Sequence, residues 1–115
     1  MMLPSSPQRV FLAPGSTDMR KAINGLSILV EQAMELNPFT GDLFVFCNHR
    51  RNMIKILYWD YNGFCLWQKR LEEHLFPWPN MAKDVVSIGA KELNWLLSGL
   101  DYSVAHKQLN YSAAS

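Results

Sequence analysis

Met53-Ile54-Lys55-Ile56-Leu57-Tyr58-Trp59-Asp60-Tyr61-Asn62-Gly63-Phe64-Cys65-Leu66-Trp67-Gln68-Lys69-Arg70-Leu71 reads as two β-strands joined by a tight turn. The first flank carries Ile54, Ile56, Tyr58 and Trp59 and the second Phe64 and Trp67, and Asn-Gly is the strongest short hairpin signal. With Asn62-Gly63 as the turn, Tyr61 faces Phe64, Tyr58 opposes Trp67, Ile56 opposes Lys69 and Lys55 opposes Arg70. Like charges directly opposite repel unless an anion lies between them, so this register hints at a ligand. A slip of register erases the hint.

Outward from the hairpin, Asn48-His49-Arg50-Arg51-Asn52 is a polar, basic turn, and Leu43-Phe44-Val45-Phe46-Cys47 is a continuous apolar run that predicts a central strand. Arg9 to Ala13 predicts a short strand stopped by Pro14-Gly15. Ser16 or Thr17 then offers an N-cap oxygen and Asp18 an acid for the first turn. Met19, Ala22, Ile23, Leu26, Leu29, Val30 and Ala33 recur at helical spacing and predict a helix of about 18 residues ending at Asn37-Pro38. Gly25 inside it costs about 1 kcal/mol relative to alanine, which a close neighbour would explain. After the stiff Phe76-Pro77-Trp78-Pro79 connection, Asp84 to Ile88 predicts one more strand. Gly89 and Gly99 bracket a short helix carrying Ala90, Leu93, Leu96 and Leu97. The expected fold class is α+β: a single small domain with a mostly antiparallel sheet of three to five strands, one long helix packed on a face and a short C-terminal helix. Residues 1–8 read as a loose lead-in, 9–102 as the domain and 103–115 as a flexible tail.

The whole chain sets the bounds. Its 115 residues carry 11 Lys+Arg against 10 Asp+Glu, a net charge of +1, and 49% hydrophobic residues. Such a chain builds one ordinary core and is not a wholesale polyanion binder. No apolar run is long enough for a bilayer, and the start does not resemble a secretory signal, so a cytoplasmic protein without membrane contact is expected. Cys47 and Cys65 lack zinc-site spacing and sit in apolar runs, where free, buried thiols in a reducing compartment are expected.

The chemistry concentrates between Asn48 and Arg70, where Arg50, Arg51, Lys55, Lys69 and Arg70 face only Asp60 as an acid, a local balance of +4. Tyr58, Trp59, Tyr61, Phe64 and Trp67 are interleaved with them. Cations that hold phosphates beside aromatic faces that stack on bases make a nucleic-acid footprint, with Tyr58 or Trp67 as the stacking residue. The alternative is that the aromatics form the sheet core and the cations its solvated face. Arg20-Lys21 is a second basic feature, either a phosphate or protein contact or a pair with Asp18. Trp78, between two prolines, is either a partly exposed anchor or packed down over the sheet edge. No catalytic constellation, metal motif, phosphate loop or cofactor site stands out, so neither catalysis nor a cofactor is expected.

Thr17-Asp18-Met19-Arg20-Lys21 followed by Asn24-Gly25-Leu26 resembles the opening signature of the TnpB-type accessory proteins, from the second open reading frame of the insertion-sequence family numbered sixty-six. The resemblance continues through Pro38-Phe39, Gly41, Leu43 to Phe46, Asn48, Arg50-Arg51, Lys55-Ile56-Leu57, Trp59-Asp60, Gly63-Phe64, Leu66 and Lys69 to Glu72. It closes on Phe76, Trp78-Pro79, Glu92-Leu93, Leu96-Leu97 and Gly99, and so spans residues 9 to about 102. His49 stands where an arginine is expected, and Cys47 where a polar or basic residue is common. The resemblance implies a bacterial accessory factor in transposition, encoded beside a larger transposase that carries the DNA recombination chemistry. Two molecular roles fit. In the first, Arg50, Arg51, Lys55, Lys69 and Arg70 contact phosphate on element DNA while Tyr58 or Trp67 stacks. In the second, an adaptor for the transposase uses Trp59 and Trp78 as anchors within a rim of Arg20, Lys21, Asp60 and Arg70.

Overall fold

The run Leu43–Cys47 is buried along its whole length and forms the middle strand of a five-stranded sheet. The computed structural model describes residues 9–79 and 83–99, so the lead-in (1–8) and tail (103–115) expected above lie outside the described residues. Its elements run β1 (Val10–Leu12), α1 (Ile23–Gln32), β2 (Leu43–Cys47), β3 (Met53–Asp60), β4 (Gly63–Arg70), β5 (Val86–Ile88) and α2 (Ala90–Ser98). The spatial order of the strands is β4-β3-β2-β1-β5. β1 and β2 are parallel, joined through α1, and every other neighbouring pair is antiparallel. The fold is thus α+β with a mixed sheet.

Both sheet faces are covered, which is why β2 shows no alternation of polar and apolar residues. On one face Leu26, Val30 and Met34 pack with Phe44, Phe46 and Leu57. On the other, Phe76, Trp78, Leu93 and Leu96 close over Val45, Cys47, Ile54, Ile56 and Tyr58. Trp78 takes the packed alternative: it is 3% exposed, and its indole N–H donates to the Gly15 carbonyl at 3.0 Å.

Two expectations are corrected. The long helix is a ten-residue one, Ile23–Gln32. Asp18 turns the chain ahead of it, accepting the Arg20 backbone N–H at 2.9 Å, and the Lys55 ammonium donates to the carbonyls of Met19 and Lys21 at 2.7 and 2.9 Å. A helix begun at Asp18 would have committed those carbonyls to residues one turn on. At the other end Glu35 sits at φ 56°, in the left-handed region that stops a helix. The neighbour sought for Gly25 is the stem of Lys21, 3.3 Å from where a Cβ would stand.

The hairpin register is the second correction. Asp60 pairs with Gly63, so Tyr61-Asn62 make the connection and Lys55 opposes Gln68, not Arg70. Tyr58 faces Cys65, and Trp67 faces Ile56. This register sets Trp59 against Phe64 and Leu57 against Leu66, apolar on apolar, and dissolves the repulsion that had hinted at a ligand. Tyr61 meets the turn's demand by taking φ 54° itself.

Candidate functional site

The tip of the β3–β4 hairpin gathers an aromatic cluster. Trp59 and Phe64 face each other across the strands with ring centroids 5.0 Å apart at 79°. Phe39 joins them from the loop between α1 and β2, 5.1 Å from Trp59 and 5.2 Å from Phe64. The loop is built to hold it. Asn37 Oδ1 accepts the Phe39 N–H at 3.0 Å, Thr40 Oγ1 donates to Asp42 Oδ2 at 2.7 Å, and Gly41 takes φ 86° where the loop passes the Trp59 carbonyl. Edge-to-face rings stabilise one another by about 0.5–1.5 kcal/mol per pair. Phe39 nevertheless remains 52% exposed, and Tyr61 at the very tip 92% exposed, with Asp60 beside it.

The cations lie elsewhere and most are already engaged. Lys55 is 8% exposed and caps the chain ahead of α1. Lys69 Nζ donates at 2.7 Å to the carbonyl of Leu97 in the last turn of α2, where a cation suits the helix dipole. Arg51 takes φ 65° in the β2–β3 turn and reaches the Gly15 and Asn48 carbonyls at 3.4 Å. In the same turn Asn48 Oδ1 accepts the backbone N–H groups of Asn52 and Met53, both at 3.1 Å. Arg70 pairs with Glu72 at 3.2 Å and Arg20 with Asp18 at 2.7 Å. Hydrogen bonding from Arg20 holds the Asp18 carboxyl down at about 2. Arg50 and Lys21 are exposed, with no carboxylate partner among the described residues. Both expected stacking residues are packed against the core beneath Phe76 and Trp78, Tyr58 fully and Trp67 partly. Burial pushes the Tyr58 phenol up to about 12, with the neighbouring Cys65 thiol adding to the rise.

The residues interleaved in sequence therefore separate in space. Met53, beside the basic turn, and Asp60, at the aromatic tip, bracket an eight-residue strand, a span of roughly 20–25 Å. The adaptor set also divides: Trp59 and Asp60 stand at the tip, Arg20 and Lys21 lie near Lys55, and Trp78 is inside. Phe39 is the residue that the sequence did not single out as part of a site. Its signal was an aromatic between Asn37-Pro38 and Thr40-Gly41, a stretch with no strand or helix of its own to bury it.

The thiols divide as well. Cys47 is buried, and burial pushes its thiol up from 9.0 to about 11 against the opposing influence of Arg51. Cys65 is only half-buried. An aromatic disulfide reagent at pH 8 should modify Cys65 in the native protein and Cys47 only on unfolding. Equal native rates would contradict this packing. The neutral Cys47 thiol stabilises the fold fully below pH 9.0, and that contribution declines as pH rises toward 11. Among the described residues no three His, Cys, Asp or Glu side chains gather to hold a metal ion, and no helix is long and apolar enough to cross a membrane.

Comparison with known proteins follows the same stretch of chain. A family model described as IS66 Orf2 like protein matches residues 8–107. A protein of Sinorhizobium fredii, named uncharacterized protein y4hO, is 39% identical over 102 residues, covering 88% of this chain and 89% of its own. A second from that organism, uncharacterized protein y4jC, is 34% identical over 103 residues, covering 90% of this chain and 88% of its own. No solved structure matches.

Proposed function

Because the chain belongs to the IS66 Orf2-like family, we propose that it serves the transposition of an insertion sequence as a non-catalytic accessory factor, acting as an adaptor that binds the element's transposase through the aromatic end of the hairpin. The observation that carries this is the pairing of a prebuilt Trp59–Phe64–Phe39 cluster with the exposure of Phe39 and Tyr61. Rigid aromatics lose little entropy on docking and dominate the energetic centres of protein interfaces. Direct DNA contact has less support, since Lys55, Lys69 and Arg51 spend donors on carbonyls, Arg20 and Arg70 face carboxylates, and Tyr58 and Trp67 pack on the core.

Tyr61→Ala removes an exposed side chain, so it should leave the melting temperature unchanged. A hot-spot loss of about 2 kcal/mol would lower transposase affinity roughly 30-fold. Co-purification and titration calorimetry with the transposase of the same element would read it. Unchanged capture by both Tyr61→Ala and Phe39→Ala would remove the tip from the interface. Salt-sensitive binding of element-end DNA, lost on replacing Arg50 and Lys21, would return the role to nucleic acid.

A further inference from the structure

The sheet ends unevenly. At one side lies β5, three residues long, and at the other β4, eight residues long, with no strand beyond it among the described residues. A long strand edge is a row of unpaired N–H and C=O groups, and proteins usually guard it with charge, proline or a bulge. The first half of β4, Gly63-Phe64-Cys65-Leu66-Trp67, has no charge or proline, and its one-to-one pairing with β3 leaves no bulge. Its side chains are all half-buried. The charges, Lys69 and Arg70, are confined to the other half.

We propose that the outer edge of β4 pairs antiparallel with the β4 edge of a second copy of this chain, joining the two sheets across a two-fold axis. The charge distribution selects both the occupant and the direction. Parallel addition would set Lys69 against Lys69 and Arg70 against Arg70, a repulsive ladder. Antiparallel addition sets each cationic half against the partner's uncharged half. A two-fold axis normal to the sheet keeps each face continuous, so opposed residues share a face. With the axis at Trp67, Arg70 lies opposite Phe64, Lys69 opposite Cys65 and Gln68 opposite Leu66. The guanidinium beside the Phe64 ring is a favourable cation–π arrangement. Pairing in this way brings the aromatic end of one hairpin beside the basic end of the other, joining across two chains what one chain keeps apart. The inference concerns this chain alone and is independent of transposase binding.

The test is sedimentation of the full chain between about 1 and 100 µM, combined with amide hydrogen exchange at both ends of that range. A species of twice the 13.2 kDa chain mass is expected to grow with concentration, with protection of β4 amides rising in step. Cys65→Lys, which places a lysine opposite the partner's Lys69, should shift the dimerisation midpoint at least tenfold, at some cost to the melting temperature of the monomer because Cys65 packs against the core. If that variant fails to fold, the exchange experiment on the unaltered chain still decides. A monomer at all concentrations overturns the proposal. So does a dimer whose β4 exchange ignores concentration, or a β4 edge protected equally at every concentration.

Discussion

Trp78→Ala is expected to destabilise the domain by about 3–5 kcal/mol, the range for truncating a large buried aromatic. The indole lies within the cluster that closes one sheet face, and its N–H donates to the Gly15 carbonyl. The truncation therefore opens a cavity and removes a bond between the linking segment and the turn after β1. Urea denaturation of the two proteins measures it, and Trp78→Phe, which keeps a ring but loses the donor, should recover most of the loss. A change under about 1 kcal/mol would mean that the segment does not pack as described. Any failure of Trp78→Ala to retain a partner would accordingly report unfolding, not the loss of a surface anchor.

Lys55→Met is expected to cost about 2–4 kcal/mol. The substitution keeps an unbranched stem in the sheet and removes the ammonium that satisfies the Met19 and Lys21 carbonyls. Hydrogen bonds to a charged group contribute about 1.5–3 kcal/mol, and carbonyls deprived of their donor add a desolvation cost. The local signature is faster amide exchange in residues 19–23 relative to β2. A neutral effect on stability with unaltered exchange would show that Lys55 does not hold the chain at the start of α1.

The sheet was the legible part of the sequence. The unbroken apolar run of β2 implied a strand buried on both faces, and Gly89 and Gly99 implied the bounds of α2. Local rules failed where a distant side chain decided the outcome. Helical periodicity continued back to Met19, but Lys55 claims the Met19 and Lys21 carbonyls that a longer helix would need. The Asn-Gly rule located the hairpin but missed its register by two residues, because the facing of Trp59 with Phe64 and the use of Tyr61 in the turn settle it. The candidate site failed for a related reason. Alternation along β3 and β4 sends neighbouring residues to opposite faces, so basic and aromatic residues interleaved in sequence need not share a surface. Tyr58, Trp67 and Trp78 went to core packing, whereas Phe39, which carries no charge or strand pattern, came to the tip from a separate loop.

The position of β1 bears on how the domain is made. β1 lies between β2 and β5, with Val10 paired to both Leu43 and Ile88. As the chain leaves the ribosome, β2, β3 and β4 can form a meander from contacts close in sequence, and α1 can deliver β1 to its place beside β2. The outer side of β1 stays bare until β5, the last strand among the described residues, has emerged. Until then the nascent chain carries an open strand edge on each side of the sheet, the state in which partly made β-proteins are most prone to mispair. Val86–Ile88, the strand that pairs with β1 outside the meander, closes one of those edges last, so a chain cut short before it loses a seal out of proportion to the three residues involved.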